Sequence, residues 1–147
     1  MQTQTNTRNS PVLSSEELRP LDRLVGRWRG EGTLKAGGQS ATIRLDWAFS
    51  PCAGGHAVEG SLVVLGIPGV DRCEQKDLIA YDPAEQKIRW VSSCNLPEFH
   101  DRRGSLDGAV LVVADPKERV RVQFLEAGRI AIDITADGMT AEAVLTR

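Results

Sequence analysis

His56, Glu59, Tyr81, Ser92 and His100 carry groups that can orient a ligand or move a proton. His56 and Glu59 lie three apart, so on a strand they face opposite sides and form no acid–base dyad unless a bulge intervenes. Glu59 and Ser61 share a face, as do Asp77 and Tyr81, and so do Trp90, Ser92 and Cys94. An inward Glu59 would set a carboxylate in an apolar interior, where it could hold a polar head group or act as acid or base. An outward Glu59 would be a solvated surface group. His100 stands in Phe99-His100-Asp101-Arg102-Arg103-Gly104. Clustered charge ahead of a glycine marks an exposed loop. At a cavity entrance His100 would meet a ligand there, and Arg102 and Arg103 would favour an anionic group. The Arg27/Arg29 pair is expected on a solvated face.

Other chemistries lack their motifs. Cys52, Cys73 and Cys94 are odd in number and widely spaced, which is no disulfide framework but fits free, partly buried thiols in a reducing compartment. Cys52 and His56 have C-x₃-H spacing. No second close pair joins them, so no metal site is expected. There is no G-x-S-x-G elbow, no P-loop and no G-x-G-x-x-G after a strand. Gly30-Glu31-Gly32 falls inside a strand and is no phosphate cradle.

The chain has 147 residues, 41% hydrophobic and 26% charged, a size that favours one domain with its own core. A net charge of −2 argues against a nucleic-acid binder and against a polybasic membrane anchor. No apolar run approaches the ~20 residues of a membrane-spanning helix. Residues 1–13 are polar and lack the basic start and apolar core of a secretory signal. A disordered tail and a cytoplasmic location are therefore expected. Residues 14–147 are expected to form the single domain.

Ser14 and Glu17 have capping-box spacing, and Leu18, Leu21, Leu24 and Val25 share one face of a short helix that Gly26 would end as a left-handed cap. Beyond Gly26 the period changes to two. Strands are expected at 27–36, 39–49, 56–65, 74–82, 86–95, 98–106 and 109–114, then around Val120–Phe124, Ile130–Ile134 and Met139–Leu145. Gly37-Gly38, Pro68-Gly69, Asp82-Pro83, Asp107-Gly108, Asp115-Pro116 and Asp137-Gly138 punctuate them. No helical pattern intervenes, so βαβ units are not expected. A flat sheet of this many strands would leave two open edges and a bare apolar face. An all-β, antiparallel up-and-down barrel of about ten strands removes both problems. A sandwich is the alternative.

Leu21-Asp-Arg-Leu-Val-Gly26-Arg-Trp28-Arg-Gly30-Glu-Gly32 resembles the opening of lipocalin-like (calycin) barrels. Gly26-x-Trp28 is similar to the lipocalin G-x-W. The longer G-x-W-x-G-x-G is similar to nitrobindins and to bacterial lipocalin-like proteins of the DUF1579 type. Glu59-x-x-Leu62, Ala80-Tyr81-Asp82-Pro83, the Trp90 strand and the terminal Ala-x-Leu-Thr-Arg fit the DUF1579 type best. The resemblance spans residues 18–147. It implies that Trp28 plugs one barrel end with a basic residue packed across it, for which Arg147 is placed. The similarity to nitrobindins would imply haem only with a histidine late in the chain. His56 and His100 are the only histidines and none follows His100, so no cofactor is expected.

These readings converge on a lipocalin-like barrel binding a small, mostly apolar or amphipathic molecule. The cavity candidates are Trp47, Phe49, Glu59, Leu62, Tyr81, Trp90, Ser92, His100, Phe124 and Ile132. The strand register stays open, because one slipped residue exchanges the faces. Two alternatives remain. One is a barrel enzyme (isomerase, cyclase or hydrolase) using a buried carboxylate, Glu59. The other is an interaction module with a filled core. The chain would be a monomer, or a homodimer paired through an uncovered strand edge.

Overall fold

A computed structural model describes residues 19–147. The expected tail and the Ser14–Glu17 helix start lie outside them. A 3₁₀ helix, Arg19–Leu24, leads into ten strands: β1 (Gly26–Ala36), β2 (Gln39–Cys52), β3 (Ala57–Leu65), β4 (Cys73–Asp82), β5 (Lys87–Cys94), β6 (Phe99–Asp107), β7 (Val110–Ala114), β8 (Glu118–Leu125), β9 (Arg129–Ala136) and β10 (Met139–Thr146). Every strand pairs antiparallel with its chain neighbour, and β10 pairs with β1 to close the barrel. The up-and-down barrel expected from the turn spacing is the observed fold, and the sandwich is not.

Alternation decides what lies inside. Even-numbered residues of β1, β5, β6, β8, β9 and odd-numbered residues of β2, β4, β7 and β10 face inward, as do Val58, Gly60, Leu62 and Val64 of β3. Their apolar members form one continuous core. The outer face carries exposed ion pairs, among them Arg27 and Arg29 with Asp46. Such pairs contribute little to stability.

The two ends of the barrel differ. Leu21 and Leu24 of the 3₁₀ helix are fully buried beneath one end. Trp28 stands over them, and its indole N–H donates to the Leu24 carbonyl at 2.8 Å. The Arg147 guanidinium lies 4.9 Å from the Trp28 ring centre and donates to the Val25 carbonyl. Arg23 ties the helix across the end, over the Phe124 ring at 5.3 Å and to the Gly108 carbonyl. Gly26 is not the left-handed helix cap its position suggested. Its φ is +135°, and a Cβ there would strike the Arg147 side chain.

The opposite end, reached by the β1–β2, β3–β4, β5–β6, β7–β8 and β9–β10 turns, has no such plug among the described residues. At the β1–β10 seam, a Cβ on Gly30 or Gly32 would collide with the Val144 or Glu142 carbonyl. The glycines of the opening motif therefore let the first and last strands close together. Gly104 is tighter still, with the Val112 carbonyl where its Cβ would be. Gly104→Ala is expected to cost at least about 1–3 kcal/mol, by forcing β6 and β7 apart. Urea denaturation reads this directly, and a wild-type midpoint would refute the close approach.

Candidate functional site

At the unplugged end the inward residues do not fill the barrel. A cavity of about 130 Å³ remains, walled mainly by Ile43, Leu45, Leu62, Val64, Ile132, Ile134 and Ala143, with Leu34, Ile67 and Met139 nearer the outside. Cys73 also lines it. Burial, with Cys94 beside it, pushes the Cys73 thiol up to about 11, so it remains protonated and joins the neutral wall. Glu142, exposed on β10, borders it, and two inward polar side chains, Gln75 and Glu118, complete the lining. They are shared with a smaller space of about 40 Å³ lying deeper, among Trp47, Trp90, Arg102 and Val120.

Below this floor lies a polar network inside the apolar barrel. Asp77 is 5% exposed. One carboxylate oxygen accepts the Trp47 indole N–H at 2.9 Å. The other accepts the Trp90 indole N–H at 2.9 Å and the Gln75 amide at 2.8 Å. Burial raises the Asp77 pKa, while these three bonds and the nearby Arg102 charge oppose the rise. Trp47, Phe49 and Trp90 pack around it with ring centres 5.3–6.1 Å apart. The facing position on β3 is Gly60, where a Cβ would stand 2.8 Å from both Asp77 Oδ2 and the Phe49 ring.

Arg102 is the second buried charge, 3% exposed. Its Nε and Nη2 reach Glu118 Oε1 at 2.7 and 2.5 Å. Nη1 donates to the Ser92 hydroxyl at 2.7 Å and to the Trp90 carbonyl at 3.4 Å. Toward the opening, His100 Nδ1 lies 2.8 Å from Asp115 and its Nε2 3.3 Å from Glu98. Burial works against ionisation of Asp115. Hydrogen bonds from His100 and from the Lys117 and Glu118 amides outweigh it and lower its pKa.

The expected residues separate cleanly. Leu62 and Ile132 line the cavity, and Trp47 and Trp90 line its deeper pocket. Phe49 supports the indoles, Ser92 holds Arg102, and His100 stands near the open end beside Asp115. Three candidates lie elsewhere. Tyr81 is half-buried near the plugged end of β4, and Phe124 is there too, under Arg23. Glu59 is exposed on the outer surface, because the inward parity of β3 falls on Val58, Gly60 and Leu62. An acid–base role inside the barrel is therefore closed to Glu59.

The charged run of β6 is also reassigned. It is not an exposed loop but strand, with His100 and Arg102 inward and Asp101 and Arg103 outward. Arg103 pairs with Glu85 and Asp101 on the surface, and Arg102 is already neutralised by Glu118. Neither guanidinium is held ready for an anion. Haem does not fit either. Both His100 ring nitrogens face carboxylates, and His56 follows the Ala53–Gly55 turn outside the cavity lining. No described helix is long and apolar enough to cross a membrane.

No family model matches the chain, and no curated protein matches it. Among solved structures, it is similar to the S-type phycobiliprotein lyase CPES from Guillardia theta, at 13% identity, with 93% of this chain and 96% of that chain covered and a TM-score of 0.61. At that identity the likeness is one of fold, and it is the fold the ladders show: a lipocalin-like closed antiparallel barrel of ten strands.

Proposed function

We propose that this protein binds a small, mostly apolar molecule in the cavity at the unplugged end of the barrel. The observation that carries the reading is the unfilled, apolar-walled space of about 130 Å³ beside a packed core. Interiors normally leave few voids larger than a water molecule. A dry cavity of similar size, about 150 Å³, holds a benzene-sized guest. The opening motif Gly26-x-Trp28-x-Gly30-x-Gly32 supports placing the chain with the bacterial lipocalin-like barrels of the DUF1579 type. Three free cysteines support a reducing, cytoplasmic setting.

Benzene is a direct probe of this reading. At tenfold its dissociation constant it should stabilise the fold by about 1.4 kcal/mol, seen as a raised thermal midpoint. Ile134→Phe, which places a ring in the cavity, should abolish the shift. Native mass spectrometry of the freshly purified protein should then show whether a ligand of that size is retained. No midpoint shift, together with a bare chain mass, would leave a filled-core interaction module as the better reading.

A further inference from the structure

The cavity floor presents unmatched acceptors. Gln75 must turn its amide N–H₂ toward Asp77, because a carboxylate accepts only. Its carbonyl oxygen is then left for the cavity, which Gln75 lines. Glu118 receives both Arg102 bonds on Oε1. Its Oε2 has no hydrogen-bond partner among the described residues. Against these two acceptors stands one spare N–H, on Arg102 Nη2. A ligand that fills the cavity would take both acceptors away from water and must supply their partner.

The charges point the same way. Asp77 and Glu118 lie inside the barrel opposite one guanidinium, Arg102, and Asp115 stands at the open end beside His100. An incoming carboxylate has only the one spare Arg102 N–H to accept from, beside the Glu118 and Asp77 charges, unless it displaces Glu118. An incoming ammonium displaces nothing.

We infer that the ligand is a small organic amine, its protonated nitrogen donating to Glu118 Oε2 and Gln75 Oε1 and its apolar body against Ile43, Val64 and Ile132. This inference rests on the cavity-binding reading and narrows it to one chemical class. The acceptors give the head group its place, and the aliphatic wall gives the body its burial. Hydrogen bonds to a charged group in such a setting exceed neutral ones.

Calorimetric titration of the whole chain at neutral pH with benzylamine, benzyl alcohol and benzoate tests it, the three sharing one ring and differing in the head. Salt at about 0.15 M screens the exposed surface charges. Benzylamine should bind roughly tenfold or more tightly than either competitor. Glu118→Gln should bring benzylamine down to the level of benzyl alcohol, and Ile134→Phe should remove binding of all three. Benzoate binding as well as or better than benzylamine, or an unchanged preference in Glu118→Gln, would overturn the amine assignment and leave cavity binding standing. Failure of all three probes, with benzene also inert, would overturn both. Should Glu118→Gln not fold, the wild-type order of the three probes decides alone.

Discussion

Asp77→Leu is expected to destabilise the fold by about 3–5 kcal/mol in urea denaturation. Two indole N–H groups and the Gln75 amide converge on the Asp77 carboxylate. Leucine leaves the two buried indole N–H groups without an acceptor, at about 1–3 kcal/mol each, and frees the Gln75 amide. Removing a desolvated charge offsets part of that loss. A cost below about 1 kcal/mol would show that water or repacking satisfies the donors, and that the carboxylate does not organise the aromatic cluster.

The same group has a pH signature. Its folded pKa is raised, first by burial. Its stabilising contribution is therefore complete below the unfolded value of about 3.9 and declines as pH rises through the folded value. Asp77→Asn lacks that titration. The stability gap between wild type and Asp77→Asn should narrow as pH rises. A gap that widens with pH is the behaviour of an ordinary ion-paired carboxylate and would contradict the burial-dominated picture.

Arg102→Met is the second large effect, about 3–5 kcal/mol. It leaves Glu118 as an uncompensated charge in the barrel. The remedy is specific: Arg102→Met with Glu118→Leu should recover most of the loss, because an apolar pair of similar volume removes both desolvation costs. A double-mutant cycle in urea measures the coupling. A double variant as unstable as Arg102→Met alone would mean that the arginine acts through Ser92 and the Trp90 carbonyl rather than through Glu118.

The strands were legible because alternation and turn residues agreed along the whole chain. Trp47, Leu62 and Ile132 reached the cavity region by that reading. Alternation gives two faces but not which is inward. Glu59 and Leu62 sit on opposite faces of β3, so a list containing both had to lose one. The presence of Gly60, not Glu59, on the inner face allows Asp77 to occupy the space opposite. Arg102 and Glu118 were hidden for another reason. A run of charges suggests solvent, yet in a strand every second member must turn inward. The signal for Glu118 was present, since it continues the Val120, Val122, Phe124 face of β8. Alternation puts Asp77 on one face with Tyr81, but that the indoles of Trp47 and Trp90 meet it depends on three strands coming together. Such convergence is invisible one strand at a time.

The seam between β1 and β10 sets a schedule for synthesis on the ribosome. All other ladders join neighbours in the chain, but Gly32 must wait for Ala143, about 110 residues later. At 5–20 residues per second that is roughly 5–20 s. Throughout that time β1 has one paired edge and one open edge, the condition in which nascent strands recruit wrong partners. Charged Arg27, Arg29, Glu31 and Lys35 on its outer face, and glycines on its inner face, make it a poor template for another chain. The residues that permit closure thus also guard the strand until its partner emerges.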